Sequence, residues 1–167
     1  MLDTNEAALL ADQPPRPEGF EILPACEHGF LRLVGPFYVR TPKGTPIGMP
    51  VIGLHVRGDH LNYSGGAHGG MLATIADMQG AAVRAFAQMG DVATPTISLA
   101  VEFIAPAPDG TWLELHSFLT GKTRTLLFSR AELRIGDKVI ANANAIYKIG
   151  KLRKIDVELL PLSVTGY

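Results

Sequence analysis

One long, almost entirely apolar segment constrains the fold of this chain more than any other feature. It begins at Gly69 or Gly70, continues through Ala-rich sequence to Met89, and meets a helix stop signal at Gly90. Apolar side chains cover most of the circumference of this predicted helix: Met71, Leu72, Ile75, Ala76, Met78, Ala82, Val83, Phe86 and Met89. Because such a helix is unstable in water, the rest of the chain must cover it.

Strand-like segments on both sides of the helix are the natural cover. We predict two strands before it, at 30–39 (interrupted at Gly35-Pro36) and 51–56, and four after it, at 96–105, 112–120, 125–135 and 139–149. Gly136-Asp137 predicts a tight turn between the last two strands. The expected fold is α+β, an antiparallel sheet wrapped around one long central helix.

Composition narrows the class of protein. The 167 residues, 47% hydrophobic and 19% charged, predict one folded domain. A net charge of −1 gives the protein no overall positive field that would attract nucleic acid or an anionic membrane. No apolar stretch reaches the ~20 residues that a membrane span requires. The N-terminus lacks the basic region of a secretory signal, and the single cysteine, Cys26, favours a reducing compartment. We therefore expect a cytoplasmic protein without nucleic-acid or membrane partners.

Three regions are expected along the chain. Residues 1–29 form an N-terminal extension, with a short helix at 2–11 and a stiff link at Pro14–Pro17. Residues 30–149 form the folded domain, and residues 150–167 form a tail that carries Lys151, Arg153 and Lys154.

Several common catalytic motifs are missing. No G-x-S-x-G is present, and a phosphate-binding loop ending at Gly121-Lys122-Thr123 would need glycine where the chain has His116. His55, His60 and His68 lack the spacing of a zinc motif. We predict no metal and no cofactor.

The predicted helix carries two features that can serve chemistry. Gly69 and Gly70 leave its first N–H groups free of side-chain bulk, so that they can stabilise an oxygen that gains negative charge. Asp77 can act as a general base or nucleophile in an apolar cleft. The alternatives are that the glycines only permit close packing, and that Asp77 belongs to a solvent-facing stripe with Thr74, Ala81, Arg84 and Gln88.

The distance between these two features predicts a dimer. Gly69 and Asp77 lie eight residues apart, which is about 12 Å of helix rise. Groups that act on one carbonyl must approach it to about 3 Å. If both act on one bond, they come from two antiparallel copies of the helix, and the interface of an obligatory dimer holds two equivalent sites.

At these residues the sequence resembles the hotdog-fold acyl-CoA thioesterases, specifically the phenylacetate-pathway (PaaI) type. The resemblance covers roughly residues 30–149 and includes the order of strands and helix. The matching pattern consists of Asn62, His68-Gly69-Gly70, Asp77, and Thr96 at the start of the strand that ends in Ala105-Pro106-Ala107.

The resemblance implies a role for each matching residue. Gly69 would donate its backbone N–H to the thioester carbonyl oxygen, and Asn62 and His68 would orient that oxygen or the loop. Asp77 of the partner subunit would activate water or attack the carbonyl, and Thr96 would help to place the water. From the residues alone, His68 can equally anchor the loop, Asn62 can form a turn, and Thr96 can be an ordinary strand residue.

Further residues are candidates for binding the substrate. Gly70 is one candidate, and Tyr63 and Met71 are candidates for the lining of the acyl pocket, although both can equally be core residues. Lys122 and Arg124 lie in a basic turn that can bind the phosphates of coenzyme A, or can simply be solvated.

The predicted function is hydrolysis of an acyl-CoA thioester to a carboxylic acid and free coenzyme A. The expected partners are an acyl-CoA substrate and a second copy of the chain, with a tetramer left open. Two alternatives remain: a non-catalytic acyl-CoA or lipid-binding hotdog module, and a hotdog enoyl-CoA hydratase or dehydratase that uses His68 and Asp77.

Overall fold

The computed structural model describes residues 15–23, 29–42, 48–90 and 92–151. The predicted helix at 2–11, Cys26, Arg153 and Lys154 lie outside these ranges. Three α-helices are described: α1 Gly29–Val34, α2 Gly69–Asp77 and α3 Gln79–Phe86. The strands are β1 Glu21–Ile22, β2 Tyr38–Arg40, β3 Val51–His55, β4 Val92–Ala93, β5 Thr96–Phe103, β6 Trp112–Lys122, β7 Leu126–Ile135, β8 Lys138–Lys148 and β9 Gly150–Lys151.

Seven of these strands form one antiparallel sheet. Its order is β1-β2-β3-β6-β7-β8-β5, and β4 pairs separately with β9. The turn predicted at Gly136-Asp137 is confirmed, because β7 and β8 pair from Ile135 and Lys138 onward and Gly136 has a φ of 56°. Strand β5 is the last in the order, so within the described residues its outer edge has no neighbouring strand.

The sheet and the helices bury a common apolar core, which confirms the predicted architecture. From α2, Met71, Leu72, Ile75 and Ala76 are buried. Alternate residues of the strands meet them from the sheet, because successive strand side chains point to opposite faces. These sheet residues are Leu113, Leu115, Ala131, Leu133, Ala141 and Ala143. Burial of each large aliphatic side chain contributes about 1.5–3 kcal/mol to stability, which fixes the position of the helix.

The long helix is interrupted at Met78, a feature that the sequence did not predict. The Ala81 N–H donates to the Met78 carbonyl at 3.0 Å, three residues back, instead of to the Asp77 carbonyl four residues back. The buried Gln79 supports the interruption, since its side-chain amide donates to the Ala76 carbonyl at 3.0 Å and accepts from Ser129 at 2.7 Å. The carbonyl of Asp77 is therefore available to another donor.

The prediction of a strand over 30–39, interrupted at Gly35-Pro36, is wrong before the interruption and confirmed at Tyr38 and Val39. Residues Gly29–Val34 form helix α1, and only Tyr38–Arg40 is extended. The reason is the spacing of the side chains that pack on the core, since Leu31 and Val34 lie three residues apart on one helical face. A short apolar run does not distinguish a helix from a strand by composition alone.

Candidate active site

The N-terminus of α2 is built by the loop that precedes it. His68 is the N-cap residue, and its Nδ1 accepts a hydrogen bond from the Gly70 N–H at 2.9 Å. Its own N–H donates to the His60 carbonyl at 2.7 Å. His68 thus anchors the loop, as the alternative interpretation of this residue expected, and it occupies the amide of Gly70.

The N–H of Gly69 differs from that of its neighbour. Among the described residues it donates to no acceptor, and as the first residue of the helix it has no partner inside it. A Cβ on Gly69 would lie 3.4 Å from the ring of Phe103, so this amide sits beside the end of β5. The structure therefore presents one unoccupied helix-terminal amide at the position that the sequence predicted.

Asn62 shapes the glycine-rich loop. Its Oδ1 accepts from the Ser64 N–H at 2.9 Å and from the Gly66 N–H at 3.4 Å. This is the turn that was expected as the alternative to a catalytic role of Asn62, and it positions the loop that ends at Gly69.

Asp77 lies at the opposite end of α2, where its carboxylate faces a cleft. The hydroxyl of Thr96 donates to Asp77 Oδ1 at 2.8 Å. This contact joins two residues to which the family resemblance assigns the handling of the same water molecule. The cleft has a volume of about 640 Å³ and is lined by Leu23, Phe30, Leu31, Thr74, Asp77, Met78, Gly80, Ala81, Arg84, Ala93, Thr94, Pro95, Thr96 and Tyr147.

Tyr147 holds the backbone at Asp77, and sequence reasoning missed it. Its hydroxyl donates to the Asp77 carbonyl at 2.9 Å, the group that the helix interruption leaves available. The ring packs against Gly80, where a Cβ would lie only 2.5 Å from it. Burial, together with the negative charge of Asp77, raises the pKa of Tyr147 above its usual range, so this hydroxyl remains a donor at physiological pH.

Removal of this hydroxyl gives the first prediction. Tyr147→Phe should lower the free energy of unfolding by about 1 kcal/mol, because the Asp77 carbonyl loses its donor. We also expect a lower kcat with a similar KM, since the carboxylate is positioned through this backbone. Urea denaturation and steady-state kinetics measure both effects. A matched control is Tyr38→Phe, since Tyr38 is buried like Tyr147 but does not line the cleft; an equal loss of kcat there would contradict the prediction.

The predicted catalytic residues form two separate groups within one chain. Asn62, His68 and Gly69 lie at the start of α2, whereas Asp77 and Thr96 lie at its end, and Gly69 does not line the cleft. Strand β5 connects the two groups. Its first residue, Thr96, contacts Asp77, and its last residue lies beside Gly69.

The candidates for substrate binding are scattered. Tyr63 is fully exposed, and Met71 is buried in the core. Gly70 is exposed at the helix start, and Lys122 and Arg124 are exposed around the β6–β7 turn. None of these five residues lines the cleft at Asp77, and their roles remain predictions.

Two further properties concern ligands and membranes. In residues 15–23, 29–42, 48–90 and 92–151, no three His, Cys, Asp or Glu side chains come together as a metal-binding group. Over the same ranges, no helix has the length and apolar character that crossing a membrane requires.

Comparison with known proteins places these features in a family. Residues 64–145, which include His68, Gly69, Asp77 and Thr96, match the thioesterase superfamily, and Asn62 lies just before this segment. A Pseudomonas aeruginosa protein whose name describes it provisionally as an esterase is 31% identical over 133 residues, which cover 80% of this chain and 96% of that protein.

Solved structures share the fold. The phenylacetic acid degradation protein PaaI from Thermus thermophilus, solved as a point mutant, is 24% identical, covers 74% of this chain and 98% of its own, and has a TM-score of 0.59. A Streptococcus pneumoniae protein described as a hypothetical thioesterase, solved with coenzyme A, is 18% identical, covers 80% of this chain and 98% of its own, and has a TM-score of 0.60. The chain shares with these structures a sheet that wraps around a helix, and its residues 64–145 match the family. The chain therefore belongs to the thioesterase superfamily and has a hotdog fold.

Proposed function

We propose that the protein is an acyl-CoA thioesterase whose active site is shared between two copies of the chain. The observation that carries the proposal is the position of two complementary groups at opposite ends of α2. The unoccupied Gly69 N–H lies at one end, and the Asp77 carboxylate with its Thr96 contact lies at the other. A site that uses both requires a second helix in the opposite direction.

Strand β5 offers the surface for this assembly. Its outer edge is unpaired within the described chain, and apolar side chains on and just after it are more than half exposed: Ile97 at 57%, Phe103 at 54% and Ile104 at 56%. Exposed apolar edge strands are prone to pair with another chain. A second copy would satisfy the backbone groups of this edge and bury these side chains.

The direction of that pairing would complete the site. In an antiparallel pairing centred on the middle of β5, Thr96 lies opposite Phe103 of the partner subunit. Because Thr96 contacts Asp77 and the ring of Phe103 lies beside Gly69, the Asp77 carboxylate would face Gly69 of the partner subunit. Each dimer would contain two such sites. We propose a homodimer at minimum, and a tetramer is compatible with the same interface.

The arrangement suits hydrolysis of a thioester. The Gly69 N–H and the positive end of the helix would stabilise the carbonyl oxygen as negative charge develops on it. The Asp77 carboxylate would take a proton from a water molecule while the water oxygen attacks the carbonyl carbon. The carbon–sulfur bond then breaks, and the thiolate leaves and is protonated. Direct attack by the carboxylate, followed by hydrolysis of the anhydride, uses the same geometry.

The coenzyme A part of the substrate would extend toward the basic turn that carries Lys122 and Arg124. Lys122, Leu127, Tyr147 and Thr96 are successive register partners across four strands. The turn therefore lies at the same end of the sheet as Asp77, about 14 Å from Thr96 across three strand spacings. We propose that Lys122 and Arg124 hold phosphates of coenzyme A, the ligand found in the Streptococcus pneumoniae structure.

We also propose a cytoplasmic location, because the composition of the sequence and its single cysteine favour a reducing compartment.

Release of free thiol tests this function. Purified protein is offered short-chain, medium-chain and aromatic acyl-CoAs, and a thiol reagent measures turnover. We expect hydrolysis of at least one class and, by light scattering, a dimer or tetramer. Tight binding without release of thiol from any substrate would instead favour the non-catalytic binding module. Loss of enoyl-CoA absorbance without thiol release would favour a hydratase.

A further inference from the structure

The cleft at Asp77 has a wall that lies outside the segment matching the thioesterase superfamily. That segment begins at residue 64, whereas Leu23, Phe30 and Leu31 line the cleft from the N-terminal part of the chain. Phe30 and Leu31 belong to α1. The wall is therefore contributed by residues that precede the matched segment.

Helix α1 is fixed in place from both of its ends. Leu31 packs against the main core, and Leu23, before the helix, is buried there. After the helix, the Arg57 guanidinium donates to the Gly35 carbonyl and, at 3.4 Å, to the Leu33 carbonyl. Although α1 has only six residues, these contacts hold it as a defined surface of the cleft.

The chemistry of the cleft favours an apolar ligand. Four of the polar side chains that line it already donate hydrogen bonds within the protein. The hydroxyl of Thr74 donates to the Gly70 carbonyl at 2.9 Å, and Arg84 donates to the Val92 carbonyl at 3.0 Å. Thr96 and Tyr147 both donate to Asp77. The surfaces that remain for a ligand are mostly hydrocarbon, and the volume of about 640 Å³ lies in the range of pockets for small organic molecules.

We infer that α1 forms the acyl-binding wall of the cleft, and that Phe30 makes the enzyme prefer medium-chain or aromatic acyl groups to an acetyl group. The inference rests on the proposed function, since the Asp77 carboxylate that would start the reaction lies in the same cleft. An acyl group that extends from the reacting carbon contacts Phe30 only if it is longer than acetyl. The side chain of Phe30 is 60% exposed in the isolated chain and gains burial from such a ligand.

A matched pair of variants on α1 tests this inference. Leu33 lies on the same helix and is 72% exposed, but it does not line the cleft. We measure kcat/KM for octanoyl-CoA, phenylacetyl-CoA and acetyl-CoA in the wild-type protein, Phe30→Ala, Phe30→Leu and Leu33→Ala. Phe30→Ala should reduce the ratio of the better long substrate to acetyl-CoA about tenfold, the size of a lost hydrophobic pocket contact. Phe30→Leu should restore part of that ratio, and Leu33→Ala should keep it.

The outcomes separate this inference from the function on which it rests. If the wild-type protein releases no thiol from any acyl-CoA, the proposed function is wrong. If the wild-type protein is active and Phe30→Ala keeps its ratio, the inference is wrong and the function stands. An equal change of the ratio in Leu33→Ala would also overturn the inference, because α1 would then act through its stability alone.

Discussion

Asp77→Asn should reduce kcat for acyl-CoA hydrolysis by about 10²–10⁴-fold, the usual contribution of a general base. The amide has the shape of the carboxylate, and its oxygen can still accept the hydrogen bond of Thr96 that is 2.8 Å long in the wild-type chain. It cannot accept a proton from water or attack a carbonyl. Thiol release, measured on the best substrate of the panel, gives the loss directly.

The stability of this variant separates chemistry from folding. We expect the Tm and the dimer of Asp77→Asn to stay close to those of the wild-type protein, because the carboxylate faces an open cleft. Asp137→Asn is a control in the exposed turn between β7 and β8, and it should keep full activity. A normal kcat in Asp77→Asn would show that the carboxylate has no catalytic role.

Gly69→Pro should reduce kcat/KM by about 10²–10³-fold, the typical effect of losing one donor to an oxyanion. Proline has no N–H, so this substitution deletes the one amide that the proposal requires. The site can accept proline without breaking the helix. Gly69 is the first helical residue, where proline is favoured, and His68 before it has a ψ of 141°, in the region that a residue before proline prefers.

Gly69→Ala is the matched control for this variant. It adds the same Cβ, at 3.4 Å from the ring of Phe103, but it keeps the N–H. We expect it to retain most of the activity, and we expect circular dichroism and Tm to be similar in both variants. Equal losses in Gly69→Ala and Gly69→Pro would assign the effect to the added carbon and would count against the amide.

The features of the fold and of the site that the sequence predicted depend on local patterns. The apolar circumference of residues 69–89 required a covering sheet, and the alternation of the four later strands provided it. The spacing of Gly69 and Asp77 in the sequence was sufficient to predict that the two groups of residues lie at opposite ends of the helix. The family resemblance implies that Thr96 helps to place the water, and the structure adds a direct hydrogen bond of 2.8 Å from the Thr96 hydroxyl to the Asp77 carboxylate.

The parts that the sequence did not predict depend on contacts between distant residues. Tyr147 supports the Asp77 carbonyl from 70 residues away, and strand alternation indicates only that it faces inward. The interruption at Met78 follows from that partner and from the buried pair of Gln79 and Ser129. The sequence predicts a strand in place of helix α1 because a short apolar run fits both the strand period and the helix period, and packing against the core decides between them.

The most direct test of the shared site combines the two variants of low expected activity, Asp77→Asn and Gly69→Pro, in one dimer. Asp77→Asn and Gly69→Pro chains with different affinity tags are co-expressed, and the heterodimer is isolated by successive purification on both tags. If each site takes its amide from one chain and its carboxylate from the other, one of the two sites in the heterodimer is intact, and we expect about half of the wild-type kcat per dimer. If the amide and the carboxylate of one chain act together, both sites remain defective. Activity no higher than that of the parent variants would contradict the account.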